Sequence, residues 1–308
     1  MGRRKLNYHL VDVFTDCMFG GNQLAVFTNG RDVSPTTMQA IANELNLSET
    51  TFILPPTDAA NDYKLRIFTP VTELPMAGHP TIGSAFVLAN EHMIACPADG
   101  ETELVFEENI GLIPVSVAFK EGRADLIRML QPLPTFGPIH PDVGAIAAML
   151  GLETEAITDT GLPLEVVSCG VPFLFVPLRD LVSIRKARLD RTRWEHALRD
   201  FEAPNIFVFT RETVHESSTV HSRAFVPALG IDEDPATGGA SGPLGCYMVR
   251  HGIVPGGAGS EIIGEQGFEM GRPSMIQIEI ELTAEREICA VRVGGTCCAV
   301  AEGVLEVD

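Results

Sequence analysis

Three side chains have the types and neighbourhoods that proton chemistry needs: Glu49, His79 and Asp234. Glu49 sits in Asn46-Leu47-Ser48-Glu49-Thr50-Thr51-Phe52, between a stretch of helical spacing and one of strand composition. A carboxylate at the start of a strand is ordinarily solvated. A general base in such a place works only where burial or a second carboxylate lifts its pKa toward neutrality. Asp234 is the candidate second carboxylate if the two halves of the chain meet. His79 stands between Gly78 and Pro80 at the start of a helical segment, where a histidine is either a packing or capping residue or a catalyst; both readings stand. No two histidines have metal-ligand spacing with a nearby acid, so no metal is expected.

An acidic protein that binds an acid needs a local positive field, and helix N-termini supply one through their unpaired backbone N–H groups. Ala77-Gly78-His79-Pro80-Thr81 and Asp234-Pro235-Ala236-Thr237-Gly238-Gly239 both open central helical segments with small residues. Glycine there lets a ligand approach the backbone closely. Facing each other, two such ends make a carboxylate site without lysine or arginine. The second block also reads as ordinary capping, with Asp234 as N-cap and Pro235 at the first helical position.

The elements that must position these residues follow from periodicity. Tyr8–Phe14 and Leu24–Phe27 are strand-like, separated by the turn-forming Phe19-Gly20-Gly21-Asn22. Met38, Ile41, Ala42 and Leu45 give a helix over Pro35–Leu47 with Ser34 as N-cap. Strands follow at Thr51–Leu54 and Lys64–Phe68. His79–Asn90 is helical and almost uncharged, so it is expected to be buried on most sides. Two strands are expected in Glu101–Phe119, then a turn at Glu121-Gly122. Further helices are expected at Pro141–Leu150 and Arg191–Phe201.

The second half repeats the first. Arg66-Ile67-Phe68-Thr69-Pro70 precedes the helix with Gly83-Ser84-Ala85; Arg223-Ala224-Phe225-Val226-Pro227 precedes the segment with Gly238-Gly239-Ala240. The strand Thr51–Leu54 lies upstream of one and Ile206–Phe209 upstream of the other. The expected organisation is a duplicated unit of strands around a central helix. The halves are drawn as residues 1–125 and 126–295; the last strand, about 296–308, is a candidate to join the first, and the sequence alone leaves open which half the end of the chain joins.

The 308 residues carry a formal charge of −19, which disfavours nucleic acid and anionic membrane surfaces as partners. The short Arg3-Arg4-Lys5 cluster reads as solvated. No apolar run reaches the length of a membrane span, and the opening residues lack the apolar region of a signal peptide, so secretion is not expected. Seven cysteines without CxxC spacing read as reduced, mostly buried thiols, and a cytoplasmic location is expected.

Together these segments resemble the phenazine-biosynthesis isomerase family. The resemblance rests on Val11-Asp12-Val13-Phe14-Thr15 with Gly21-Asn22, Asn46–Phe52, Arg66–Pro70, Glu73–Thr81, Glu233–Gly238, Gln266-Gly267 and Gly271-Arg272-Pro273-Ser274. It implies an α+β fold of two diaminopimelate epimerase-like halves, each a mainly antiparallel, barrel-like sheet around a central helix. It implies a homodimeric, cofactor-independent isomerase acting on a small carboxylic acid in a cleft between the halves. By resemblance Glu49 carries the proton, with His79 and Asp234 as its polar partners. Asn22, Ser48, Gly78, Gly238 and Gly239 then contact the substrate. The family often has serine where this chain has Gly239. Two other readings are kept: a racemase or epimerase of the same fold, with Cys169 and Cys246 as the available thiols, and a non-enzymatic small-acid binding or interaction module.

Overall fold

The computed structural model describes residues 4–257 and 261–307. Arg3 of the basic cluster lies outside them. The fold is mixed α and β, dominated by sheet, and the chain divides into two compact units, 1–130 with 294–308, and 131–293.

The first unit opens with β1 (Arg4–Val13), β2 (Asn22–Phe27), α1 (Pro35–Leu45), β3 (Glu49–Leu54), β4 (Tyr63–Phe68) and β5 (Glu73–Leu74). There follow α2 (Gly78–Asn90), β6 (Gly100–Glu108), β7 (Gly111–Lys120) and β8 (Arg123–Gln131). The final strand, β18 (Cys297–Val307), returns to pair antiparallel with β1 from Arg4 opposite Val307 to Val13 opposite Cys297. β1 pairs antiparallel with β2, β2 parallel with β3, and β3 antiparallel with β4.

Local chemistry sets these elements. The Ser34 side chain accepts from the Thr37 N–H and Pro35 fills the first turn, as the spacing anticipates. The helix stops at Leu45, short of the expected Leu47, because Asn46 takes the left-handed conformation at φ 52°. That turn delivers Glu49 as the first residue of β3. Met38, Ile41 and Ala42 bury one face of α1 against Phe27, Phe52 and Phe68. α2 carries no charge and is buried at every residue from Gly78 to Ala89, packed on β1, β2, β3 and β7. It lies so close that a Cβ on Gly83 would stand 2.6 Å from Leu24 Cδ2 and 2.7 Å from Val13 Cγ2.

The second unit contains β9 (Thr135–Ile139), α3 (Val143–Met149), α4 (Glu155–Thr158), β10 (Glu165–Ser168), β11 (Pro172–Pro177), α5 (Leu181–Lys186) and α6 (Arg191–Ala197). It continues with β12 (Ile206–Thr210), β13 (Val220–Val226), β14 (Ile231–Asp234), α7 (Gly238–Arg250), β15 (Glu261–Gln266), β16 (Ser274–Leu282) and β17 (Ile288–Gly295). β11 runs parallel to β12, and β13 pairs antiparallel with β12 and β14. α7 is buried from Gly238 to Met248 and packs on β10, β11 and β16. α3 and α6 are shorter than anticipated. The side chains of Asp142 and Asp190 cap their first turns, and Ile146, Leu150, Trp194 and Leu198 share one core.

The cysteines correct one expectation. All seven are free, but only Cys169 and Cys246 are buried; Cys17 and Cys289 are exposed. The other three are half-buried: Cys96 follows α2, and Cys297 and Cys298 open β18.

Candidate active site

Glu49 heads β3 beside Leu24 of β2, and is 6 % exposed. His79, the second residue of α2, is 2 % exposed, and Asn22, the first of β2, is fully buried. The three touch. Asn22 Nδ2 lies 3.1 Å from His79 Nδ1, and His79 Nε2 lies 3.1 Å from Glu49 Oε2. An amide nitrogen can only donate, so Nδ1 accepts and the ring proton sits on Nε2, on the carboxylate side. The Nε2–Oε2 approach is off the direction of a straight hydrogen bond. A carboxylate held this loosely by its neighbour keeps lone-pair capacity for an incoming proton.

The same end of α2 has no side-chain cap: Ala77 is its N-cap residue and offers only backbone. Gly78 is buried at the first helical position. Ser48 is half-buried in the turn before Glu49. Thr81, one turn into α2, bonds back to the Ala77 carbonyl. Glu49, His79, Asn22 and Gly78 thus gather around one helix N-terminus in the first unit.

In the second unit Asp234 closes β14, opposite Ala224 of β13, and is 5 % exposed. It is not the helix cap that the Asp-Pro pair suggested. The N-cap of α7 is Thr237, three residues on. Its hydroxyl donates to Asp234 Oδ2 at 2.6 Å. Gln266 braces this corner: its Nε2 donates to the Asp234 carbonyl at 2.7 Å and its Oε1 accepts from the Thr237 N–H at 2.9 Å. Gly267 sits at φ 79°, where a Cβ would stand 2.3 Å from the Arg272 carbonyl oxygen and 2.5 Å from that of Pro235. Gly238 and Gly239 open α7, both buried.

Glu108 is a polar residue that the sequence does not single out, and Thr237 and Gln266 stand out in it only as parts of motifs. Two buried groups have other partners. His221 is enclosed by Glu265 at 2.8 Å and Glu269 at 3.1 Å; burial works against its charge, but the two carboxylates raise its pKa. In the other direction, the hydrogen bond from Cys246 and burial push the Cys169 thiol far above its ordinary range, which leaves it inert as a proton carrier. On the surface of the first unit His9 lies 3.7 Å from Glu91 and 3.9 Å from Glu302, a group with ligand chemistry but largely exposed.

Residues 11–303 match the family described as phenazine biosynthesis-like protein. The chain belongs to that family. An isomerase of Mesorhizobium japonicum is 39 % identical over 308 residues, 97 % of this chain and 98 % of the relative. The trans-2,3-dihydro-3-hydroxyanthranilate isomerase of Pseudomonas aeruginosa is 36 % identical over 296 residues, 96 % of this chain and 98 % of that one. Among solved structures, a PhzF-family phenazine biosynthesis protein of Bacillus anthracis superposes with a TM-score of 0.87 at 26 % identity, covering 98 % of this chain and 99 % of the other. As a member of the phenazine biosynthesis-like family, the protein is an isomerase. No helix among the described residues is long and apolar enough to cross a membrane.

Proposed function

We propose that this protein moves a proton on a small carboxylic acid without a cofactor, with Glu49 as the group that takes the proton and returns it. The observation that carries this reading is the buried Asn22–His79–Glu49 chain of contacts at the uncapped N-terminus of α2. Asn22 fixes the imidazole tautomer. His79 turns its N–H toward the Glu49 carboxylate and orients it. The first backbone N–H groups of α2 attract the substrate carboxylate, and Gly78 leaves room for it to come close.

In this proposal the two units are similar halves of the diaminopimelate epimerase type. Asp234, Gly238 and Gly239 of the second complete the site in a cleft, and Ser48 and Asn22 border the substrate. Gly239 supplies a backbone N–H but no hydroxyl, so substrates that need a side-chain donor there bind less well. The protein acts as a cytoplasmic homodimer. The racemase alternative loses support because Cys169 and Cys246 are both buried and the Cys169 thiol is held protonated.

The test is label exchange. Small cyclic and unsaturated carboxylic acids, with trans-2,3-dihydro-3-hydroxyanthranilate as the first probe, are incubated with the protein in deuterated water. Incorporation at a carbon near the carboxylate is expected, with turnover falling about 10³-fold in Glu49→Gln, within the usual range for a removed acid/base group. A loss under tenfold would remove Glu49 from the mechanism.

A further inference from the structure

Glu108 closes β6 and is buried, with nothing but the Thr81 hydroxyl in hydrogen-bond reach of its carboxyl among the described residues. Thr81 Oγ1 lies 2.6 Å from Glu108 Oε1 and 2.7 Å from the Ala77 carbonyl oxygen. A threonine hydroxyl has one proton, and a carbonyl oxygen can only accept. An ionised Glu108 would therefore set two acceptors against one donor in a dry site. It would also leave its second oxygen, Oε2, buried and bare. A protonated carboxyl resolves the first conflict and takes the charge off Oε2: Glu108 O–H donates to Thr81 Oγ1, and Thr81 O–H donates to Ala77. Both bonds then point one way along a relay that ends at the residue preceding Gly78 and His79.

We infer that Glu108 is a positioning residue which, as a neutral acid acting through Thr81, locks the first turn of α2 and thereby the place of His79 beside Glu49. The inference rests on the proposed role of that pair. Burial, opposed only by the Thr81 hydrogen bond, pushes the Glu108 carboxyl up to about 8. Neighbouring charges are committed elsewhere. Glu107, on the same strand, accepts from Thr57, Asp58 and Asn61. Glu73 of β5 is held by Arg66 and Asn109. From α2 itself, His79 faces Asn22 and Glu49. Ionisation of Glu108 removes the donor that Thr81 needs and frees the turn.

Two measurements test this. In the first, turnover on the substrate found by label exchange is followed against pH. Wild type should lose activity along an alkaline limb centred near pH 8. Glu108→Ala should lower kcat at least tenfold with KM within twofold. Glu108→Gln, a neutral donor at every pH, should recover most of that loss and lack the limb. An identical limb in Glu108→Gln overturns the inference, and so does full kcat in Glu108→Ala; should Glu108→Ala not fold, the Glu108→Gln profile decides. In the second, the ring ¹⁵N signals of His79, assigned by their loss in His79→Gln, should show an inflection near pH 8 in wild type that is absent in Glu108→Gln. Identical His79 titrations in the two proteins overturn it. This second readout needs neither substrate nor a catalytic Glu49, so its failure is separable from failure of the proton-transfer reading.

Discussion

In both units a hydroxyl one turn into the central helix reaches back to the carbonyl four residues earlier, but the second polar group at that turn differs in chemistry and in partner. In the first, Thr81 reaches back to Ala77 and a carboxyl, Glu108, completes the clamp. In the second, Ser241 reaches back to Thr237 at 2.9 Å, and an amide, Gln131, donates to the Gly238 carbonyl at 2.9 Å. The parallel extends upstream. Arg66 forks onto Glu73 at 2.8 and 2.7 Å and lies 5.1 Å from the Phe68 ring centre; Arg223 forks onto Glu233 at 2.7 and 2.8 Å and lies 5.0 Å from that of Phe225. Against this shared frame the reactive groups are unlike. Opposite Ile67 stands Leu74, whereas opposite Ala224, its counterpart, stands Asp234. β3 begins its parallel pairing with Glu49, and β12 begins its own with Ile206. The arginine–glutamate clamps are alike and the groups beside them are not. The polar groups Glu49 and Asp234 occupy different positions in the two units.

The comparison is broken most sharply at the two arginines. Arg223 is 3 % exposed and also donates to the Ile184 and Ala187 carbonyls, while the side chain of Arg66 is 17 % exposed. Removing Arg223 strands the Ile184 and Ala187 carbonyls and leaves Glu233, whose side chain is 18 % exposed, without its partner. Arg223→Met should therefore destabilise the protein by about 3–5 kcal/mol in urea unfolding. Arg66→Met should cost about 1–2 kcal/mol, because water can take over part of its role. Equal losses would show that the two clamps are interchangeable.

Gly267→Ala probes the corner that Gln266 braces in the second unit. Its positive φ and the two carbonyl oxygens within 2.5 Å leave no place for a methyl group, so a loss of about 2 kcal/mol is expected. The displaced backbone would carry Gln266 with it, so the Asp234–Thr237 contact should loosen and turnover should fall by more than the stability loss accounts for. A variant with wild-type turnover would show that Gln266 is not what sets Asp234.

Much of this was legible in the sequence, and the gaps have physical reasons. α1 was readable because its cap, Ser34, lies three residues from the N–H it binds. The matching clamps of Arg66 and Arg223 were readable because Arg, an aromatic residue and Pro recur at fixed spacing. Asp234 was open to misreading because Asp-Pro is also a capping signature. What decides the matter is Gln266, 29 residues beyond Thr237, and no local pattern reveals that bond. Glu108 gave a signal that the sequence reading did not use. Leu104, Phe106 and Glu108 alternate along β6, which places the glutamate on the same inward face as two core residues.

Stability followed against pH tests the buried carboxyl of the first unit directly. As pH rises past the ordinary carboxyl value of 4.5, the unfolded chain releases the Glu108 proton while the folded chain keeps it until about 8. Between those values the folded state binds more protons, so stability must fall with rising pH and level off above them. One group in this state contributes a slope of about 1.4 kcal/mol per pH unit at most. Other groups titrate in the same range. Burial opposes the charge of His221 and its two carboxylates favour it, so with its pKa raised it adds stability that is lost as pH rises through its folded value. The difference between wild type and Glu108→Gln cancels such shared terms. Glu108→Gln should therefore gain on wild type steadily from pH 5 to 8 and run parallel to it above. Parallel stability curves throughout would mean that Glu108 is ionised in the fold, and that the first unit's clamp works by charge where the second unit's works by an amide.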